Sequence, residues 1–125
     1  RATLYNHFRD KDELIAALIE DEIERMRNLI ASAPDRSEAL FLIANDIAQN
    51  AALRKVLDLE PHLIAGLAQI SETPIWNQAR NILATSLRTS SVGSEIALRW
   101  CISQFFAPIA SPDLESSIAA VERSL

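Results

Sequence analysis

The sequence predicts an all-α protein, and three observations carry that prediction. Nearly half of the 125 residues are apolar, yet there are only two glycines, and three valines stand against 19 alanines and 16 leucines. That composition lacks the turn glycines and the β-branched alternation of a sheet protein. Apolar residues recur at steps of three and four along segment after segment. Helix-start signals, an N-cap residue or a proline at a first-turn position, punctuate those segments. The length is enough to bury a core without disulfide or metal staples.

Reading in order, Asp10 and Glu13 have capping-box spacing, in which each side chain satisfies an amide of the first turn. They predict a helix over 11–31. Leu14, Ile15, Leu18, Ile19, Ile23, Met26, Leu29 and Ile30 form its buried stripe, and Glu20, Asp21, Glu24, Arg25 and Arg27 its wet face. Pro34 interrupts the pattern. Asp35 and Glu38 repeat the capping spacing ahead of Leu40, Ile43 and Ile47, a second long helix. Asn50 and Pro61 then mark short helices near 51–59 and 61–70, and Thr73 with Pro74 opens a clearer one to about residue 88. Residues 89–93 are expected as a loop. The segment 94–109 is apolar nearly all round, as in a helix covered on more than one side, and 113–125 again shows one stripe through Leu114, Ile118, Val121 and Leu125.

Several classes of function find no carrier. One cysteine, Cys101, excludes an internal disulfide framework and a cysteine-based zinc cluster, and suits a reducing cytoplasm. No apolar run is long enough for a membrane span and no signal peptide opens the chain, so a soluble, cytoplasmic protein without a membrane partner is expected. His7 and His62 sit in no metal-binding spacing, the serines lack a nucleophile elbow, and there is no glycine-rich phosphate loop. The chain is therefore expected to be neither an enzyme nor a carrier of metal or cofactor. Cys101 itself reads as a small buried hydrophobe.

Charge is unevenly spread. The net charge of -5 argues against a basic nucleic-acid binder as a whole. Within residues 1–11, however, Arg1, Arg9 and Lys11 face only Asp10, whereas residues 12–24 hold six carboxylates and no base. This basic start carries the ordered run Thr3-Leu4-Tyr5-Asn6-His7-Phe8-Arg9-Asp10-Lys11-Asp12-Glu13-Leu14. The run resembles the signature of the TetR family of bacterial transcriptional regulators, in which such a pattern closes the recognition helix of a helix-turn-helix and leads into the next helix. The match is specific over about the first 20 residues.

The resemblance implies an organisation in two parts. Residues 1–31 would be the end of a helix-turn-helix DNA-binding domain with its connecting helix, incomplete because the family's first helices precede Arg1. Residues 32–125 would be a helical-bundle domain for effector binding and dimerisation. Arg1, Thr3, Tyr5 and Asn6 would then reach base edges or phosphates in the major groove. His7 and Lys11 would grip phosphates, Lys11 at the positive end of the following helix. Leu4 and Phe8, four residues apart, would pack inward.

The same resemblance implies a mostly apolar effector pocket drawn from Met26, Phe41, His62, Trp76 and Asn77, with His62 or Asn77 as polar anchor. Each of these residues also suits plain core packing. It further places a homodimer on the two C-terminal helices, with Trp100, Phe105, Leu114, Ile118 and Val121 as interface candidates. A helix central to its own monomer would account for the same pattern. The resulting expectation is a repressor that binds a palindromic operator as a homodimer and is released by a small apolar ligand. The alternative is a helical small-molecule-binding or protein-interaction module without DNA activity.

Overall fold

The computed structural model describes residues 11–62 and 73–125, and all regular structure among them is α-helical. Six helices are defined: α1 Lys11–Ile30, α2 Arg36–Gln49, α3 Ala51–Leu59, α4 Pro74–Ser86, α5 Ser91–Phe106 and α6 Ser111–Arg123. Residues 1–10 and 63–72, and with them the expected recognition segment and most of the expected 61–70 helix, lie outside the described residues. No helix among the described residues is long and apolar enough to cross a membrane.

Local chemistry sets most of the boundaries. The Asp35 carboxylate accepts the Glu38 amide at 2.8 Å and starts α2. Asn50 closes α2 through its own amide and opens α3 through its side chain, which accepts from Leu53. Thr73 caps α4 by accepting from Trp76, with Pro74 in the first turn where its missing amide costs nothing.

Helix α5 begins three residues earlier than the sequence suggested. Ser90 is its N-cap and accepts from Gly93, so the glycine taken for a loop residue lies in the first turn. A Cβ on Gly93 would stand 2.0 Å from Thr89 Oγ1, so any larger residue there would force the Thr89 side chain to move. The connection from α4 is a Schellman turn: Thr89 donates to Ala84 O at 3.1 Å, and Arg88 takes the left-handed φ of 52° that glycine usually supplies. Helix α6 starts at Ser111, after Ala110, with Pro112 in its first turn.

Packing centres on α2. It buries Ala39, Leu40, Ile43, Ala44 and Ile47 and lies against α1, α3, α5 and α6. Helices α4 and α5 form a helical hairpin, with α1 crossing α2 and α4. The core joins Leu40, Ile43 and Ile47 to Trp76, Leu83 and Leu87 of the α4 side, to Ala97, Leu98 and Cys101 of α5 and to Ile118 of α6. Each large side chain buried there contributes roughly 1.5 to 3 kcal/mol.

Helix α1 departs from the expected buried stripe. Only Ile30 is buried, Leu18 is exposed, and Ile19, Ile23 and Met26 are half-buried because they face a cavity rather than a filled core.

Polar ties fix the helices at their edges. Arg25 of α1 bonds Asp46 of α2 at 2.6 and 2.9 Å and Glu22 at 2.7 Å. These bonds, Asp46 first, hold its guanidinium pKa above the usual value. Arg36 donates to Leu87 O and Arg88 O at 2.6 and 2.7 Å, and Arg54 to Phe105 O and Gln104 O at 2.9 and 3.2 Å. Ser37 donates to Glu122, joining α2 to α6, and Trp100 Nε1 donates to Ser117 Oγ at 3.0 Å. The buried Gln104 amide accepts from Ile109 N at 3.1 Å and thereby holds the α5–α6 connection.

Three substitutions test this account by urea denaturation. Leu40, fully buried, and Phe41, 43% exposed, are chain neighbours. Leu40→Ala is expected to cost about 2–5 kcal/mol and Phe41→Ala less than about 1 kcal/mol. Arg88→Gly is expected to stabilise by roughly 0.5–1 kcal/mol, since it relieves the left-handed backbone while the Arg88 carbonyl that Arg36 uses is retained.

Candidate functional site

The cavity lies between α1, α2, α4 and α5 and has a volume of about 160 Å³. Its wall is built from the periodic apolar faces of those helices: Ile19, Ile23, Met26 and Ile30 of α1, Ile43 and Ile47 of α2, Ile75, Trp76, Ala79, Ile82 and Leu83 of α4, and Leu98, Cys101, Ile102 and Phe105 of α5. Leu53 of α3 closes one side. Among the described residues Glu22, Arg27 and Thr73 are its polar members, and essentially all of the lined surface is apolar.

Trp76 is the largest wall residue and is 4% exposed. Its ring is fixed from outside the cavity, because Nε1 donates to both carboxylate oxygens of Glu95 at 3.1 and 3.2 Å. Glu95 also pairs with Arg99 at 3.0 Å and with Arg80 at 3.7 Å. Arg99 lies over the indole face, 5.6 Å from the ring centre. One carboxylate thus joins an apolar wall to two cations on the outer side of the α4–α5 hairpin.

Cys101 is buried, and loss of solvation pushes its thiol up to about 12. At pH 8 such a thiol stays protonated, so it contributes packing and no nucleophile. Among the described residues no three His, Cys, Asp or Glu side chains converge on a possible metal position.

The residues singled out in the sequence are distributed unevenly over this site. Met26 and Trp76 line the cavity, as does Phe105, which the sequence suggested for a dimer interface. Phe41, His62 and Asn77 lie elsewhere. Phe41 points outward from α2, opposite the Leu40–Ile43–Ile47 face. His62 is exposed and sits 3.3 Å from Glu60 just beyond α3, and Asn77 accepts from Arg80 at 2.9 Å on the rim of α4. Neither is among the residues that line the cavity. Ile118 is buried in the core of its own chain, and Trp100, Leu114 and Val121 pack against that core from α5 and α6. Arg1, Thr3, Tyr5, Asn6 and His7 fall outside the described residues; Lys11 is the first residue of α1.

Sequence reasoning missed most of the wall because a stripe facing a void has the same spacing as a stripe facing a core. The apolar character of 94–109 also hid Glu95, although its i, i+4 relation to Arg99 is visible in the sequence. Comparison with known proteins adds no relative: no family model, no curated protein and no solved structure matches the chain.

The Cys101 thiol reports on the wall. In the folded protein at pH 8 it is expected to react with an aromatic disulfide reagent at least 100-fold more slowly than after denaturation. Native reaction at the rate of the unfolded chain, followed by absorbance, would contradict the buried position.

Proposed function

We propose that this chain belongs to a TetR-like, DNA-binding transcriptional regulator, a repressor that binds a palindromic operator as a homodimer and is released by a small apolar effector. The observation that carries the reading is continuity. The Thr3–Lys11 motif, with its resemblance to the end of a recognition helix, runs directly into α1, and α1 carries Ile19, Ile23 and Met26 onto the cavity wall. A helix of 20 residues at 1.5 Å per residue spans about 30 Å, so occupancy at one end can tilt a DNA-reading segment at the other. In a dimer that tilt changes the spacing of the two reading heads relative to their half-sites.

In this reading Thr3, Tyr5, Asn6 and Arg1 meet bases or nearby phosphates, and His7 and Lys11 grip the backbone. The homodimer surface in this reading includes a face of α5 beside Trp100, Phe105, Leu114, Ile118 and Val121. Val92, Ile96 and Phe106 share one face of α5 and remain exposed, with Arg99 and Ser103 beside them, and they favour α5 as the contact between copies. No catalytic step is involved.

The cavity stands independently of the motif and favours a second reading, a helical small-molecule-binding module without DNA activity. Salt-dependent binding of the full-length protein to the intergenic DNA upstream of its own gene separates the two. Specific binding is expected, and a His7→Ala, Lys11→Ala variant is expected to bind all sequences more weakly, with the salt slope shallower by about 1 to 2. A folded protein with no preference over random DNA at low salt would leave the binding module.

A further inference from the structure

The polar members of the cavity wall are already engaged. Glu22 accepts from Arg25 at 2.7 Å and from Asn50 at 3.4 Å. Arg27 donates twice to Glu24, at 2.7 and 3.0 Å, and half of its side-chain surface is in solvent. Thr73 Oγ1 holds the Trp76 amide, and the indole N–H is held by Glu95 on the side away from the cavity. The Cys101 thiol stays protonated. Essentially all of the lined surface is apolar, so a charged or hydrogen-bonding group placed inside would lose its hydration against a wall that offers it almost no polar atom.

Size narrows the class further. An apolar cavity of about 150 Å³ in another protein stays dry and takes benzene, and this one holds about 160 Å³. Aromatic and aliphatic side chains line it together, Trp76 and Phe105 with Ile23, Ile82 and Met26. A ring of six carbons with one short alkyl substituent has the thickness and the polarity to fill such a space.

We propose that the cavity is a binding site for an uncharged monocyclic hydrocarbon, taken up by shape and burial alone, with no polar anchor. This deepens the effector reading and rests on its ligand-site part, not on DNA binding. Recognition of this kind discriminates by charge and volume: toluene should enter, while benzoate and benzylammonium, of nearly the same outline, should not.

The test uses the full-length protein carrying Trp100→Phe, so that emission excited at 295 nm reports Trp76. Toluene is expected to change that emission saturably and to raise the melting temperature, with benzoate and benzylammonium at least ten-fold weaker. Ala79→Leu, which fills the cavity, is expected to weaken toluene at least ten-fold while the far-ultraviolet circular dichroism is kept; Ile102→Phe serves if Ala79→Leu does not fold. Equal or tighter saturation by either ion would overturn the proposed class while leaving an effector-controlled regulator intact. Absence of any saturable toluene signal, or unaltered toluene affinity in both filled variants, would overturn it as well. Toluene binding by a protein without operator affinity would support the ligand class and remove only the regulator.

Discussion

The last carbonyls of an α-helix have no partner within it, and at the ends of α4 and α5 guanidinium groups from distant helices meet them. Arg36 spans 51 and 52 residues of chain to reach Leu87 O and Arg88 O, and Arg54 does the same for Gln104 O and Phe105 O. The planar fork suits two adjacent carbonyls, where a lysine would offer only a point charge. These contacts fix the α4–α5 hairpin against α2 at its turn and against α3 at its open end, and its remaining surfaces are thereby assigned: one side to Leu40 and Ile47, another to the cavity.

That frame explains how a void persists in so small a protein. Side chains around an empty space forgo dispersion contacts, and an unconstrained bundle would collapse inward to recover them. Here α1 is held off at the periphery by Arg25 on Asp46, and Gln78 Nε2 of α4 reaches Glu24 of α1 at 3.4 Å. The ties lie on the rim and the apolar faces between them do not meet fully. The filled core lies elsewhere, along α2 toward α6, where Ile118 is sealed and Trp100 is pinned to Ser117.

Much of the architecture could be read from residues that act on their near neighbours. Asp35, Asn50 and Thr73 cap helices through partners three residues away, so their effect is visible in any short window. Gly93 misled because its role is set by contact with Thr89 and not by turn chemistry. The site was less legible. Met26 and Trp76 were identified by size and adaptability, but Phe41 and His62 share those qualities and face water. Whether a periodic apolar residue meets a neighbour or a void depends on how far apart two helices are held, and for α1 that distance is set by partners 21 and 54 residues away in the chain. Ile118 and Val121 illustrate the same limit: a stripe on α6 can serve its own core or a partner, and Ile118 serves its own core.

Trp76 gives the cavity a connection to the outside that its apolar character conceals. The ring face that bounds the dry interior and the N–H that holds Glu95 belong to one rigid plate, and Glu95 carries Arg80 and Arg99 with it. A rotation of the plate by a few degrees therefore alters hydrogen-bond length at its far edge and redistributes charge on the surface of α5. The interior needs no polar group of its own to be sensed. One indole ring separates the apolar interior from a cluster of one carboxylate and two guanidinium groups.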